Sequence, residues 1–160
     1  MKSYLMFILI IFLGGSCMFD CSNDELSKIK IGESVLAAKE VYGSSFIDLN
    51  TVNVFKDENK YVITISDFQN VLAIAIFGSD GKLLCSKGVE PIDDKNIEQF
   101  LGKSVADLEN QFGKIHCDTG SGFYIPAYIT DHATIVTLHV ENDIVVNISS
   151  IDILTLTQQK

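Results

Sequence analysis

The residue types that bind metal ions gather in the second half of the chain, at His116-Cys117-Asp118, His132 and His139. A zinc site needs three or four converging ligands, usually with pairs at short fixed spacings. On an extended chain consecutive side chains point to opposite faces, so Cys117 would point away from its two neighbours. His132 lies beside a predicted turn and His139 in a predicted strand. The pattern therefore predicts no metal site and no cofactor.

The serine residues lack the surroundings of a catalytic nucleophile. Gly120-Ser121-Gly122 does not match the Gly-x-Ser-x-Gly elbow between a strand and a helix. Ser34 and Ser104 precede predicted helices and are explained as N-caps. Gly78-Ser79-Asp80-Gly81 is typical of a hairpin turn, and no Gly-Lys-Ser/Thr follows it to form a phosphate-binding loop. A small hydrolase or metal protein is thus disfavoured, and we predict that the chain is not an enzyme.

The charge of the chain excludes one class of partner. Its 160 residues carry a formal net charge of −9, and all 12 basic residues are lysines. A nucleic-acid-binding protein needs a basic surface and prefers arginine for reading bases. We therefore predict no nucleic-acid partner, and a basic protein patch suits this acidic chain better.

The N-terminus has the layout of a secretory signal. Met1-Lys2-Ser3 is short and positively charged, residues 4–13 are an unbroken apolar run, and Gly14-Gly15-Ser16 is a small-residue stretch. Ten apolar residues are too few to span a bilayer as a helix. We predict a signal peptide over residues 1–16, a tether over residues 17–23 and an extracytoplasmic location.

The four cysteines leave two questions open. Cys17 follows the small residues as the lipidated cysteine of a bacterial lipoprotein does, although ordinary cleavage after Ser16 fits the same residues. We favour lipidation at Cys17, which would be the chain's only membrane attachment. Cys85 and Cys117 either form a disulfide in an oxidising compartment or are buried free thiols.

One phrase occurs twice. Gly-x-Ser-Val begins at Gly32 and again at Gly102, and each copy is followed at equal spacing by an aromatic residue and a glycine. Two copies indicate a duplicated structural unit. In each copy the serine caps a helix, the glycine ends it, and apolar residues at i, i+3 and i+7 form one stripe. The stripes are Val35, Ala38 and Tyr42, and Val105, Leu108 and Phe112.

After each helix the apolar pattern changes to period two, which predicts strands joined by short turns and therefore antiparallel pairing. The predicted fold class is α+β, with two tandem units over residues 24–88 and 92–157. Each unit would be a helix or helix pair packed on a three- to four-stranded antiparallel sheet. The predicted strands are 52–55, 61–66, 71–77 and 82–85 in the first unit, and 123–130, 134–140 and 144–149 in the second.

The duplicated phrase followed by a small antiparallel sheet resembles the β-lactamase-inhibitor-protein-like fold, shared with the outer-membrane assembly lipoproteins called SmpA/OmlA. Residues 118–126 also resemble a segment of exported proteins from low-GC, Gram-positive gut bacteria. In inhibitor-type members of this fold, the open sheet faces form a concave surface that grips a partner protein. The resemblance therefore implies protein binding, and no inhibitory loop can be transferred to this chain residue by residue.

The alternation also predicts which side chains the helices leave uncovered. In the second unit they are Tyr124, Tyr128, Thr137 and His139, whose apolar bodies and polar tips suit a protein-binding surface. The alternative is an exposed sheet face without a partner. In the first unit the open face is unusually apolar and ends at Phe77. It is covered by the second unit or by a second copy, or it is an interaction patch.

We therefore predict an exported, non-catalytic protein-binding module, and inhibition of its partner is one role that such a module can have. The alternative is a structural envelope lipoprotein that supports a larger assembly. The sequence identifies neither the partner nor the oligomeric state.

Overall fold

A computed structural model describes residues 28–67 and 69–157 of the chain. The predicted signal peptide and the tether with Cys17 lie outside the described residues. Among the residues described, no helix is both long enough and apolar enough to cross a membrane.

Both helices predicted from the repeated phrase are confirmed. Helix α1 spans Val35–Tyr42 and helix α2 spans Val105–Phe112. The Ser34 hydroxyl accepts a hydrogen bond from the Ala37 N–H, and the Ser104 hydroxyl accepts one from the Asp107 N–H, each at 3.1 Å. These bonds satisfy N–H groups that have no partner within the helix. Gly43 and Gly113 follow the helices with positive φ angles, as expected of residues that end them.

The strands form two antiparallel sheets. Sheet 1 has five strands in chain order: β1 (Ile47–Leu49), β2 (Val52–Asp57), β3 (Lys60–Ser66), β4 (Val71–Gly78) and β5 (Leu83–Lys87). Sheet 2 has four, also in chain order: β6 (Cys117–Asp118), β7 (Pro126–Ile129), β8 (Thr134–Glu141) and β9 (Ile144–Asp152). A 3₁₀-helix spans Ile97–Phe100, and a short helix α3 spans Ile153–Thr157. Strands β1 and β6 and helix α3 were not predicted.

The largest core of the protein lies between the two sheets. One face of sheet 1 and one face of sheet 2 contribute buried side chains to a single cluster, the central core. Its fully buried members include Val54, Ile63, Ala75 and Phe77 from sheet 1 and Ala127, Ile129 and Ile135 from sheet 2. This is the packing of a β-sandwich, in which the inner faces of two sheets share one core.

Each sheet also has a smaller outer cluster. Behind sheet 1, Phe55 and Ile76 pack with Ala38 of α1 and with Ile29. Behind sheet 2, Tyr128 and Val136 pack with residues of the 3₁₀-helix and α2, including Ile97, Phe100 and Leu108. Each eight-residue helix buries a single side chain, Ala38 in α1 and Leu108 in α2.

The predicted fold class, α+β with two tandem helix-on-sheet units, is therefore wrong. The described residues are mainly β, the three α-helices have eight, eight and five residues, and the two sheets pack on each other. The physical reason is area. A two-turn helix offers too little apolar surface to bury a whole sheet, whereas a second sheet offers a complete apolar face.

The two copies of the repeated phrase make matching hydrogen bonds. The Gly32 N–H donates to the Val71 carbonyl, and the Gly102 N–H donates to the Val145 carbonyl, each at 2.8 Å. Ser34 bridges to Asn70 and Ser104 bridges to Ile144, both antiparallel. The repeated phrase thus joins the start of α1 to strand β4 and the start of α2 to strand β9 by backbone hydrogen bonds.

Among the residues that the structure describes, two buried polar atoms lack a hydrogen-bond partner, Asn53 Oδ1 and Thr64 Oγ1. These residues lie directly opposite each other on β2 and β3, so their side chains share one face of sheet 1. An unsatisfied buried hydroxyl costs free energy because it has lost its hydrogen bonds to water.

Thr64→Val is therefore expected to raise the free energy of unfolding by about 1 kcal/mol, because valine fills a similar volume without a hydroxyl. Urea unfolding at neutral pH measures the change. The matched control is Thr137→Val, since the Thr137 hydroxyl already donates to the Ser149 carbonyl at 3.4 Å. A Thr64→Val protein less stable than the parent would show that this hydroxyl has a partner in solution.

Candidate protein-binding loop

The structure does not bring the predicted surface residues together. Tyr128 lies opposite Val136 in the β7–β8 register, whereas Thr137 lies opposite Ala127. Directly opposite residues share a face, so Tyr128 and Thr137 are on different faces of sheet 2. Tyr128 is fully buried in the outer cluster, and its hydroxyl donates to the Gly113 carbonyl at 2.7 Å. Tyr128 is therefore a core residue and not part of an open surface.

Phe77 is also a core residue. It is fully buried in the central core, where sheet 2 covers the apolar face of the first unit. Of the three explanations offered by the sequence for this face, coverage by the second unit is the one found. Phe77 is therefore unavailable for binding a partner.

The other predicted residues, Thr137, His139 and Tyr124, remain at least partly exposed, but they do not form one surface. Thr137 is half-buried and bonded to the Ser149 carbonyl. His139 is exposed, with its Nε2 3.5 Å from a carboxylate oxygen of Glu141. Tyr124 is exposed, but it lies outside the sheet because β7 begins only at Pro126.

Residues 119–125, which we term the aromatic loop, connect β6 to β7 and present two large aromatic side chains to solvent. Phe123 is 81% exposed and Tyr124 is 57% exposed. Phe123 has the highest exposure of the large hydrophobic residues described, although aromatic side chains gain most from burial. Aromatic side chains are also enriched among the residues that dominate protein–protein interfaces.

The aromatic loop is held in shape by Asp118. One carboxylate oxygen of Asp118, Oδ1, accepts hydrogen bonds from the Gly120 N–H at 2.9 Å and the Ile125 N–H at 2.8 Å. Thr119 adds two bonds to the Ile125 carbonyl, from its N–H at 2.8 Å and from its hydroxyl at 3.1 Å. The two ends of the loop are thus tied together, so the loop has a defined conformation.

Two side chains next to sheet 1 also hydrogen-bond to the backbone of the loop and of Asp118. Asn50 donates its side-chain N–H to the Gly120 carbonyl, and Thr51 donates its hydroxyl to the Asp118 carbonyl. Both donors lie in the turn between β1 and β2. The position of the loop is therefore fixed by both sheets of the sandwich.

A cavity of about 420 Å³ opens beside the loop. Asp118, Phe123 and Tyr124 line it, together with Asn50 and the Gly120-Ser121-Gly122 stretch. Within the described ranges the Asp118 Oδ2 atom makes no hydrogen bond, because both bonds to its carboxylate go to Oδ1. The cavity is therefore lined by two aromatic residues and by an aspartate whose carboxylate retains acceptor capacity.

The surroundings of the loop are acidic. Burial is the main cause that raises the pKa of the Tyr124 hydroxyl, and the negative charges of Asp118, Glu109 and Asp143 raise it further. The Tyr124 hydroxyl thus lies near three acidic side chains, in agreement with the negative charge of the whole chain.

His116 and Cys117, which lie next to the loop and were considered for chemistry, are both half-buried and make structural contacts. The His116 Nδ1 atom accepts the Ile129 N–H at 3.0 Å, and burial lowers the pKa of the ring to about 4. Burial is also the main cause that raises the pKa of the Cys117 thiol to about 12, so the thiol stays protonated and unreactive. Across the described part of the chain, no three His, Cys, Asp or Glu side chains converge to hold a metal ion.

The open question about the cysteines has an answer for Cys117. Cys117 is a free thiol, and its sulfur lies 3.8 Å from the Ala127 carbonyl oxygen. Cys85 is buried and takes part in a disulfide bond that does not involve Cys117. Of the two alternatives left open by the sequence, a Cys85–Cys117 disulfide is therefore not the one found.

Comparison with known proteins adds no relative. No protein-family model, no curated protein and no solved structure matches the chain. The resemblance to the β-lactamase-inhibitor-protein-like fold stays a prediction, and function must be argued from the loop itself.

Sequence reasoning missed Phe123 by extending a strand over residues 123–130, with Phe123 on the helix-covered side. The signal against that strand was present. Asp118-Thr119-Gly120-Ser121-Gly122 is a run of turn-forming residues, and Pro126 restricts the residue before it. Those residues support a long loop more than an early strand start.

Gly120 has no room for a side chain. A Cβ atom at this position would lie 1.5 Å from the Phe123 carbonyl oxygen, which is a backbone atom of the loop. Gly120→Ala is therefore expected to displace the aromatic loop and to lower the free energy of unfolding by about 1–3 kcal/mol.

Urea unfolding and amide chemical shifts of residues 118–125 measure these two effects. The control is Ser121→Ala, since Ser121 is an exposed neighbour and its change should leave the stability unchanged and shift only the amides next to it in sequence. Unchanged stability and unchanged loop shifts in Gly120→Ala would contradict the described loop conformation.

Proposed function

We propose that the chain is an exported, non-catalytic module that binds another protein through the aromatic loop. One observation carries the proposal: Phe123 and Tyr124 stand exposed on a loop that is braced at both ends. Export is supported by the signal-like N-terminus, and the absence of a catalytic role by the structural bonds of His116 and Cys117.

The bracing is what makes these aromatics suited to binding. A flexible loop loses conformational freedom when it binds, and that loss weakens the complex. Here the Asp118 carboxylate and the Asn50 side chain already hold the loop backbone. Aromatic side chains on a preorganised loop are typical of the few residues that dominate a protein–protein interface.

The test compares two doubly substituted chains as baits. Phe123→Ser with Tyr124→Ser removes the loop aromatics, and Leu36→Ser with Val41→Ser removes two exposed apolar side chains of α1 as a control. Protein from the source cells is captured on immobilised parent chain and on each variant. Titration calorimetry with the purified captured protein then gives each dissociation constant.

We expect the loop variant to weaken binding by at least about 2 kcal/mol, close to thirtyfold in dissociation constant, and the α1 variant to bind as the parent does. Equal unfolding temperatures of the three chains show that the fold is intact. Capture that is unchanged in the loop variant but reduced in the α1 variant would place the binding surface on α1 and overturn the proposal.

A further inference from the structure

The cavity beside the aromatic loop has a chemical character of its own. Two aromatic residues, Phe123 and Tyr124, line it together with Asp118. Aromatic faces carry negative electrostatic potential and attract cations, and a carboxylate does so more strongly. An apolar side chain would gain nothing from the carboxylate, so the lining favours a positively charged group.

We propose that this cavity binds an arginine or lysine side chain of the partner, paired with Asp118 and packed against Phe123 and Tyr124. The inference rests on the proposed protein-binding function and names the chemistry of the partner: a cationic side chain within an apolar contact surface. The Asp118 Oδ2 atom is the acceptor, because Oδ1 is already used by two backbone N–H groups.

The charge distribution agrees with this occupant. Glu109 and Asp143 add negative charge around Tyr124 without filling the cavity. Attraction between an acidic surface and a basic partner speeds association and selects against acidic competitors. An anionic or apolar occupant would have to enter against, or without help from, this field.

Binding of a cationic side chain in the cavity can be tested without the partner protein. The probes are acetyl-arginine amide and acetyl-citrulline amide, its neutral analogue of nearly the same shape, titrated into the isotope-labelled full chain. Amide shifts of residues 118–125 report binding. We expect saturable shifts with the arginine probe at millimolar concentration, because one exposed ion pair gives only weak affinity. The shifts with citrulline should be much smaller.

Asp118→Asn isolates the charge. Asparagine keeps an oxygen that can accept the Gly120 and Ile125 N–H groups, so the loop should keep its shape. We expect the dissociation constant of the arginine probe to rise roughly fivefold through loss of a charge-assisted hydrogen bond. Glu58→Gln is the control, because it removes the same charge from the β2–β3 turn, roughly 20 Å away along β2 at about 3.3 Å per residue.

Three outcomes overturn the inference. Equal shifts with arginine and citrulline would show that charge is not recognised, and equal losses in Asp118→Asn and Glu58→Gln would show only a general field. If partner capture depends on Phe123 and Tyr124 while the arginine probe gives no loop shifts, the protein-binding loop stands and the cationic cavity is wrong. If the probe binds and capture is independent of both aromatics, the cavity exists and the proposed function fails.

Discussion

Phe77→Ala is expected to lower the free energy of unfolding by about 4 kcal/mol, the largest effect anticipated for this protein. Phe77 is fully buried between the two sheets, among Ala75, Ile63 and residues of sheet 2. Truncating a buried phenylalanine loses its transfer free energy and leaves a cavity that the surrounding sheets fill only in part, at a cost of about 3–5 kcal/mol. Urea unfolding followed by circular dichroism measures the change.

Phe123→Ala is the matched control for this experiment, since the same atoms are removed from a side chain that is 81% exposed. Its free energy of unfolding should stay within about 0.5 kcal/mol of the parent value. The pair also separates two interpretations of the fold. If Phe77→Ala unfolds no more easily than Phe123→Ala, then Phe77 is at the surface and the sheets do not share a core.

Acidification from pH 7.5 to pH 5 is expected to cost about 2 kcal/mol of stability through His116 alone. Burial lowers the pKa of the folded His116 ring to about 4, whereas an unfolded histidine titrates near 6.5. The unfolded chain therefore binds the proton more readily, so the contribution is complete above pH 6.5 and is lost as the pH falls toward 4. Protonation would also turn Nδ1 into a donor facing the Ile129 N–H.

His116→Gln should remove this pH dependence, because a glutamine side chain can accept the Ile129 N–H without titrating. His139→Gln is the control, since His139 is exposed, and the parent's slope should persist in that variant. Urea midpoints between pH 5 and pH 7.5 measure the slopes. A His116→Gln protein that keeps the full slope would show that another group is responsible.

The carboxylates of Asp67 and Asp152, whose pKa the structure lowers, do not titrate between pH 5 and pH 7.5. Hydrogen bonds lower the pKa of Asp67 and of Asp152 below the usual 3.8, led by the Asn70 N–H for Asp67 and by the Thr155 hydroxyl for Asp152. Their contribution to stability is present above that value and is lost at still lower pH. Their titration therefore lies outside the range in which His116 acts.

The parts of the fold that were predictable are those set by local chemistry. A serine cap, an apolar stripe and a terminal glycine specify α1 and α2 within ten residues, whatever surrounds them. Antiparallel hairpins followed from period-two runs and short turns. These signals depend on neighbours in sequence, so one sequence is enough to recognise them.

The predictions that were wrong concern residues whose surroundings come from distant parts of the chain. Alternation shows that a strand has two faces, but it does not show what covers each face. Tyr128 looked like a surface residue because its hydroxyl is polar, yet that hydroxyl is satisfied by Gly113, fifteen positions earlier. Phe77 and Phe123 were misplaced for the same reason: one is covered by a sheet some fifty positions away, and the other projects from a loop whose shape depends on Asn50.

The bracing of the aromatic loop by sheet 1 has a consequence for folding. The bonds from Asn50 and Thr51 join residues 70 and 67 positions apart, so each closes a long stretch of chain. Hairpins and helix caps close short stretches and order early, whereas such distant pairings carry a larger entropic penalty and form late. A chain trapped halfway would have its helices and hairpins without a shaped loop. If the loop binds a partner as proposed, only the completely folded molecule presents the binding surface.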